Sequence, residues 1–286
     1  MSWQRRFLRM PLNPPGSYLL MKTMRKIMLA LSLLVSFYTQ ALDITQMNVI
    51  LLGDSNTWIG GDACDKSRGW NYWWVKSCSP ASCRSFARSG ATWTNTSATV
   101  KNLVENISVL GNDNVIYNQV MRLIDSVDNG SCPEPDLIVV AAGTNDAWFH
   151  KKRPGLFEAG TLDNGDGTDL SCISPSEVTS LAASVELSCA LLADRFPGAL
   201  VILLTPHQTT ATAPENIARV SEIIVQCGAR LSLPVIRQDL YSGIVAETER
   251  KSHVNTTDGT HTSIAGAQVV ARFLEKEIKS ILKDRQ

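Results

Sequence analysis

Four short segments carry side chains that could together attack an acyl carbonyl. In chain order they are Gly53-Asp54-Ser55-Asn56, Arg88-Ser89-Gly90-Ala91, Gly143-Thr144-Asn145-Asp146 and Asp258-Gly259-Thr260-His261. Ser55 is the candidate nucleophile, because a serine hydroxyl beside a general base can add to a carbonyl carbon. His261 is the candidate base, since imidazoles titrate near neutral pH, and Asp258 can hold the second ring nitrogen. The set predicts catalysis through a covalent acyl-enzyme.

The tetrahedral intermediate of such a reaction needs hydrogen-bond donors where negative charge develops. The backbone N–H groups of Ser55 and Gly90 and the side-chain amide of Asn145 can supply three. Glycine at position 90 lets its N–H approach a substrate with no Cβ in the way. Each residue alone has an ordinary alternative: Ser55 as a helix N-cap, Asn145 as a turn residue, His261 as a locally satisfied histidine. Their joint occurrence favours the catalytic interpretation.

Continuous apolar runs alternate with helical patterns along the chain. The runs cover 48–53, 136–142, 199–205 and 233–237, with a weaker one at 84–88. Continuous hydrophobicity is typical of strands covered on both faces, as in a parallel sheet flanked by helices. Helical patterns cover 114–127, 176–196, 214–231 and 263–282, and Ser174-Pro175-Ser176-Glu177 is a start signal for the second. The predicted fold class is α/β, doubly wound around a five-stranded parallel sheet.

This topology would bring the candidate residues to one place. Ligands bind outside the carboxyl ends of the strands in open parallel sheets. Ser55, Gly90 and Asn145 follow the first three predicted strands. Asp258 and His261 precede the last helix, which would return them to the same edge.

The order of the four segments resembles the SGNH (GDSL-type) hydrolases, a large family of serine esterases and acylhydrolases. The resemblance extends from about residue 47 to the end of the chain. It implies a flavodoxin-like three-layer fold and cofactor-independent hydrolysis of an acyl ester, with Ser55 attacking and His261 relaying the proton. Asn56 stands where leucine is usual in the family signature, at a position that does not carry the chemistry. The chain has no Gly-x-Ser-x-Gly elbow, which argues against an α/β-hydrolase.

Three tryptophans each follow a candidate site residue by three positions: Trp58, Trp93 and Trp148. If each segment begins a loop or helix at the active edge, the three indoles would surround one cleft. Indole faces stack well on sugar rings, so this pattern predicts an aromatic pocket suited to acylated carbohydrate. The alternative is that these tryptophans pack helices onto the sheet. His207, after the strand ending at 205, is a further candidate pocket residue or a structural histidine.

The N-terminal segment has the pattern of a secretory signal peptide. Lys22, Arg25 and Lys26 precede an apolar run over 27–38, and Thr39-Gln40-Ala41 is a small-x-small cleavage site. We therefore expect residues 1–41 to be an extension and signal peptide, starting in effect at Met21 or Met24, and residues 42–286 to form one SGNH hydrolase domain. A twin-arginine signal and an uncleaved membrane anchor are the alternatives. Cleavage would place the enzyme in the periplasm or outside the cell.

Charge narrows the choice of partners. The six basic residues before residue 42 would leave with the signal peptide, so 21 basic and 27 acidic residues would remain. A mildly acidic surface argues against nucleic acid and against anionic membranes as partners. After cleavage of the signal peptide we expect no stable membrane insertion. The expected partner is an acyl ester on a small molecule or a polysaccharide.

The cysteines and acidic loops do not form a recognisable metal site. All seven cysteines lie in the portion expected to be exported, where disulfides can form, and the odd count leaves at least one unpaired. A bridge among Cys64, Cys78 and Cys83 would suit their clustering, whereas Cys189 and Cys227 fall in apolar helical patterns as buried thiols. No zinc-ligand spacing occurs. Asp163, Asp166 and Asp169 resemble a cation loop, but their spacing favours a solvated turn.

Together these features predict an exported serine esterase acting on short acyl groups, especially acetyl, on carbohydrate. A lysophospholipase or thioesterase-type acylhydrolase is the alternative within the enzyme class. A carbohydrate-binding protein that retains an inherited site is the alternative outside it.

Overall fold

The computed structural model describes residues 42–105, 112–158, 160, 162 and 170–285. The expected signal peptide lies outside the described residues, as do Asp163, Asp166 and Asp169 of the expected turn. Asp43–Leu282 forms one compact unit. Within the described residues, no helix is both long and apolar enough to cross a membrane.

A parallel sheet forms the centre of this unit. Its strands in the described part of the chain are β1 (Asn48–Gly53), β2 (Ser82–Ser85), β3 (Leu137–Ala141), β4 (Leu200–Leu204) and β5 (Val235–Ile236). Their order in the sheet is β2-β1-β3-β4-β5, and all neighbouring pairs are parallel. The prediction of a five-stranded, doubly wound parallel sheet is confirmed.

Helices cover both faces of the sheet. The α-helices of the described residues are α1 (Ser55–Trp58), α2 (Trp70–Cys78), α3 (Ile116–Asp128), α4 (Thr144–Trp148), α5 (Leu181–Arg195), α6 (Pro214–Leu231), α7 (Gln238–Tyr241), α8 (Ala246–Ser252) and α9 (Ile264–Asp284). One core layer packs α3, α5 and α6 against the sheet, and the other packs α2 and α9.

The alternation of side chains along β1 explains this two-sided core. Ile50 and Leu52 belong to the α3–α5–α6 layer, whereas Val49 and Leu51 belong to the α2–α9 layer. All four are at most 1% exposed. Burial of such a side chain contributes about 1.5–3 kcal/mol, so a strand apolar on both faces is strongly held at the centre of the sheet.

Two elements differ most from the sequence predictions. The second strand covers Ser82–Ser85 and not 84–88, because this edge strand pairs only with β1 and its polar residues give little hydrophobic signal. The helix expected from residue 176 begins at Leu181, where the Ser180 hydroxyl accepts a hydrogen bond from the Ala183 N–H at 3.2 Å. Pro175–Glu177 forms a separate 3₁₀ turn.

Candidate active site

The sheet edge and a capping residue place Ser55. β1 ends at Gly53, and the Asp54 carboxylate accepts a hydrogen bond from the Asn56 N–H at 3.0 Å. This cap starts α1 at Ser55, since an aspartate at the N-cap satisfies one of the free N–H groups of a first helical turn. The Ser55 side chain therefore lies at the carboxyl edge of the sheet, and the residue is 5% exposed.

Ser55, His261 and Asp258 form a continuous hydrogen-bonded row. The Ser55 Oγ lies 2.9 Å from the His261 Nε2, and the His261 Nδ1 lies 2.7 Å from the Asp258 Oδ2. With its proton on Nδ1 the imidazole donates to the carboxylate and can accept the serine proton at Nε2. Although residues 55 and 261 are far apart in sequence, the topology brings them together as expected.

The Asp258 carboxylate is held ionised beside the imidazole. Partial burial acts to raise the pKa of Asp258, but hydrogen bonds from the His261 ring and from the backbone N–H groups of His261 and Thr260 lower it overall. The two N–H groups lie 2.8 and 2.9 Å from the Asp258 Oδ1. Asp258 thus stays an acceptor over the pH range in which an imidazole can work as a base.

The two other donor segments follow the strands next to β1. Asn145 is in α4, directly after β3, and its Nδ2 donates to the Ala91 carbonyl at 2.9 Å. This bond ties the segment after β2 to the segment after β3. Gly90, beside Ala91, has a φ of +75°, a conformation that glycine adopts without strain.

These segments leave N–H groups available to a substrate. In the described part of the chain, no protein acceptor receives the backbone N–H of Ser55 or of Gly90. Asn145 has a second amide hydrogen beyond the one given to Ala91. The arrangement can therefore receive a developing oxyanion from the same edge at which Ser55 and His261 exchange a proton.

A family model described as GDSL-like Lipase/Acylhydrolase matches residues 49–274. The chain belongs to this family. It is therefore a hydrolase, and the family identified from the four sequence segments is confirmed. No curated protein matches the sequence.

Several solved structures share the fold at low sequence identity. A protein from Lactobacillus plantarum matches with a TM-score of 0.55 and 15% identity, over 83% of this chain and 98% of its own. An acetyl xylan esterase matches with a TM-score of 0.51 and 17% identity, over 81% of this chain and 100% of its own. A protein described as a GDSL-like lipase from Bacteroides ovatus matches with a TM-score of 0.51 and 15% identity, over 82% of this chain and 99% of its own. At sequence identities this low, the structural similarity establishes a common fold and nothing more specific.

In this GDSL-type hydrolase a buried carboxyl group adjoins the serine. Asp54 is 2% exposed, and this burial raises its pKa from 3.8 to about 6. Hydrogen bonds from the Asn56 N–H and the Thr144 hydroxyl oppose the rise, as does the nearby His261, while Asp146 adds to it. Asp54 thus links α1, the helix that begins at the candidate nucleophile Ser55, to α4 through Thr144 while carrying a charge that burial disfavours.

Asp146 holds the segment that follows β2. Its carboxylate accepts hydrogen bonds from the backbone N–H groups of Trp93 and Thr94 at 2.9 and 3.0 Å, and from the Thr94 hydroxyl at 2.5 Å. Asp146 is fully buried. Together with the Asn145–Ala91 bond, it fixes the Gly90 segment against α4.

The loop that carries Asp258 and His261 is clamped from two sides. Glu249 of α8 is fully buried and accepts hydrogen bonds from the Asn255 N–H, the Thr256 N–H and the Thr256 hydroxyl, at 3.0, 2.8 and 2.6 Å. On the other side, the His207 Nε2 lies 2.9 Å from the Thr260 carbonyl.

Further along the loop, Gly259 has a φ of +84°, and a Cβ there would lie 1.9 Å from the Thr210 hydroxyl oxygen. A side chain at position 259 would therefore push this loop away from Thr210 and the neighbouring His207.

Asn56 joins α1 to the same loop. Its Oδ1 accepts a hydrogen bond from the Thr262 N–H at 3.3 Å, and the residue is 7% exposed. The usual leucine of the family could not make this bond. The departure from the family signature thus adds a polar link between α1 and the loop of His261.

The predicted ring of three tryptophans is wrong at Trp93. Trp93 is 0% exposed, lies in the α3–α5–α6 core layer and donates from its Nε1 to the Ala142 carbonyl at 3.2 Å. Its indole packs a loop onto the sheet and cannot stack on a substrate. Trp58 of α1 is half-buried, and Trp148, at the end of α4, is 40% exposed. Trp148 stacks on Phe149 with a centroid distance of 5.3 Å and an interplanar angle of 6°.

His207 is a structural histidine and not an open pocket residue. It is 4% exposed, and its Nε2–H donates to the Thr260 carbonyl. Burial lowers the pKa of His207, a shift that the Thr260 hydrogen bond partly offsets and the neighbouring His261 reinforces. The ring therefore stays neutral while it supports the loop.

Sequence reasoning missed the supporting carboxylates. Asp54 and Asp146 stand within the recognised segments, and an aspartate immediately before a helix start is a signal for a cap. Glu249 lies in an ordinary charged helix, and nothing in the sequence distinguishes it from Glu247. Within the described residues, no group of three or more His, Cys, Asp or Glu side chains could hold a metal ion.

Proposed function

We propose that this GDSL-type hydrolase is an exported serine esterase that removes short acyl groups, with acetyl preferred, from carbohydrate. The observation that carries the proposal is the hydrogen-bonded row from Ser55 through His261 to Asp258. It lies at the same sheet edge as the three candidate oxyanion donors, and the chain belongs to a family of acylhydrolases.

The proposed reaction has two acyl-transfer steps. Ser55 Oγ attacks the ester carbonyl carbon as His261 Nε2 takes its proton, and Asp258 stabilises the resulting imidazolium. The oxyanion accepts hydrogen bonds from the backbone N–H groups of Ser55 and Gly90 and from the side-chain amide of Asn145. Collapse of the intermediate expels the alcohol, which His261 protonates. Water then repeats the sequence on the acyl-enzyme and releases the acid and free Ser55.

Three features support a carbohydrate ester as substrate. Trp148, three residues after Asn145, is exposed and held flat against Phe149, as a platform for a sugar ring would be. An acetyl xylan esterase has the same fold. The signal-peptide pattern at residues 1–41 would deliver the enzyme to a compartment where polysaccharide is found.

A second candidate substrate is a longer acyl ester of the lysophospholipid or thioester type. The segment after Thr99 exposes three apolar side chains, with Val100 63%, Leu103 41% and Val104 74% exposed. Exposed apolar side chains grouped along one segment favour contact with an acyl chain or another apolar partner.

Ester turnover by the purified protein tests the proposal. We expect p-nitrophenyl acetate to be hydrolysed faster than the butyrate or octanoate, and Ser55→Ala to lower kcat by about 10⁴-fold or more without loss of the folded state. A preference for octanoate would favour the lipid-type substrate. A folded protein that turns over none of these esters would favour a carbohydrate-binding protein without catalysis.

Trp148→Ala tests the sugar platform separately. We expect it to raise KM for an acetylated xylo-oligosaccharide by roughly 10-fold, which corresponds to the loss of about 1.4 kcal/mol of stacking, and to leave KM for p-nitrophenyl acetate unchanged. The small ester is the control, because it has no sugar to stack. An unchanged KM for the oligosaccharide would contradict the platform.

A further inference from the structure

Two cysteines meet next to the nucleophile helix. Cys64 lies in the loop of residues 59–69 that joins α1 to α2, and Cys83 lies in β2. Their sulfur atoms are 3.4 Å apart. Cys64 is 3% exposed and Cys83 is half-buried. The contact brings together two of the three cysteines that the sequence groups in this region.

The backbone around the two sulfurs is already held in place. The Ser85 N–H donates to the Asp62 carbonyl at 2.8 Å, so the loop docks on the end of β2. The Arg88 guanidinium forms an ion pair with the Asp62 carboxylate at 2.8 Å. A disulfide has a sulfur–sulfur distance of about 2.05 Å, so small side-chain movements would bring the pair to bonding distance.

The remaining cysteines are placed differently. Cys78 is buried in the α2–α9 core layer, and burial raises the pKa of its thiol to about 11, an effect that Lys279 reduces. In the described part of the chain, no other sulfur lies within hydrogen-bonding distance of Cys78. Cys189 and Cys227 are buried in the opposite layer, which confirms the expectation of buried thiols there.

We propose that Cys64 and Cys83 form a disulfide bond in the mature protein. Two thiols lose two protons and two electrons, and a small-molecule or protein disulfide accepts them and leaves as two thiols. The bond closes a ring that contains residues 64–83, and a cross-link of this size restricts the unfolded chain. Of the three pairings possible within the cluster, the structure assigns one.

The cross-linked loop supports the site, and this part of the inference rests on the proposed function. The Thr262 hydroxyl, next to His261, donates to the Arg68 carbonyl of the loop at 3.0 Å. Two residues further on, at the start of α2, the Trp70 Nε1 donates to the Thr57 hydroxyl of α1 at 3.2 Å. The bond would anchor to β2 the segment that touches both the nucleophile helix and the loop of His261.

Mapping of thiols and disulfides in the purified protein tests the bond without any need for turnover. The reduced, unfolded chain is refolded in a glutathione buffer, free thiols are blocked with N-ethylmaleimide, and tryptic peptides are identified by mass spectrometry. Cys78 and Cys83 lie on one tryptic peptide, residues 77–84, whereas Cys64 lies on another that ends at Lys66. Cys78→Ser is therefore the matched control, since it leaves one candidate thiol on that peptide.

We expect the cross-link between the two peptides to form in the natural chain and in Cys78→Ser, and to disappear in Cys83→Ser. Reduction with dithiothreitol should lower the thermal midpoint of the natural chain by roughly 5 °C or more and should not change that of Cys64→Ser. A link from Cys64 to Cys78, or complete alkylation of both Cys64 and Cys83, would overturn the proposal. Either result would leave the test with p-nitrophenyl esters unaffected.

Discussion

Asn145 both holds the site together and offers a donor to it. One of its amide hydrogens is given to the Ala91 carbonyl at 2.9 Å, and the other is left for an oxyanion. We expect Asn145→Ala to lower kcat about 10²–10³-fold with little change in KM, because a donor of this kind acts mainly on the transition state. Steady-state kinetics with p-nitrophenyl acetate measure both constants.

Asn95→Ala is the control for this substitution. Asn95 is also a buried asparagine, and its Nδ2 donates to the Val178 carbonyl. Its replacement should lower stability and leave kcat close to that of the natural enzyme. A rise in KM at constant kcat in Asn145→Ala would show that Asn145 binds ground-state substrate instead of the transition state.

Asp54 should make folding stability depend on pH in the mildly acidic range. Its pKa in the folded state is about 6, against an ordinary value of 3.8. Below pH 3.8 both states are protonated, between the two values only the folded state holds the proton, and above 6 the folded state buries a charge. The contribution of Asp54 to stability therefore falls as pH rises through this window, by an amount of order 3 kcal/mol.

Asp54→Asn should remove this dependence and keep an acceptor for the Asn56 N–H. We expect the thermal midpoint of the variant, relative to that of the natural chain, to rise between pH 4.5 and pH 7.5. Asp43→Asn is the control, because Asp43 caps the Ile44–Gln46 turn in the same way but is exposed and has a lowered pKa, owing to hydrogen bonds from Thr45. A constant difference across this pH range would rule out a raised pKa at Asp54.

At the scale of the elements, α8 acts on the site indirectly, because its Glu249 holds the neighbouring loop that carries His261. Glu249 accepts hydrogen bonds from Asn255 and Thr256 and so sets the start of the loop that ends at His261. In Glu249→Gln an NH₂ group would replace one acceptor and face N–H donors. We expect kcat to fall about 10- to 100-fold with KM nearly constant, since a small displacement of His261 impairs proton transfer more than binding.

Glu247→Gln is the matched control for Glu249→Gln. Glu247 lies on the same helix, is exposed, and pairs with Lys251 at 2.8 Å. Exposed ion pairs of this kind contribute little, so kcat and the thermal midpoint should stay within error of the natural enzyme. Equal effects of the two substitutions would mean that α8 supports the fold in general and not the loop of His261.

How well each element was predicted depends on how much of its signal is local. β1, β3 and β4 are buried on both faces, so their continuous apolar runs predicted them within a residue at each end. β2 was misplaced because an edge strand of polar residues is defined by its partner. α2 was not among the predicted helices, because its tryptophans and cysteine face a core layer that only the tertiary structure supplies.

The same division applies to the site. Short segments were enough to name the candidates Ser55, Asn145, Asp258 and His261, because the proposed chemistry needs particular side chains and the topology brings strand ends to one edge. Burial cannot be deduced from such segments. Trp93 therefore looked like a pocket wall while it packs into the core, and Glu249 looked like a surface charge while it holds a loop.

At the scale of the whole molecule, the site joins parts of the chain that share no local structure. α1 follows β1, the Gly90 segment follows β2, α4 follows β3, and the loop of His261 precedes α9. In the free enzyme, direct hydrogen bonds link some of these segments, such as Asn145 to Ala91 and Asn56 to Thr262. In the proposed mechanism, a tetrahedral group on Ser55 would accept hydrogen bonds from α1, the Gly90 segment and α4 and would lie beside His261.

Phosphonylation of Ser55 should therefore stabilise the folded protein. A p-nitrophenyl phosphonate leaves a tetrahedral adduct whose anionic oxygen can accept from Ser55, Gly90 and Asn145, contacts that exist only in the folded state. We expect the thermal midpoint to rise by roughly 3 °C or more. Ser55→Ala with the same reagent is the control and should show neither adduct nor shift. An adduct mapped to Ser55 with an unchanged or lower thermal midpoint would mean that the three donors do not converge on the serine. A higher midpoint would support their convergence on it, independently of which substrate the enzyme hydrolyses.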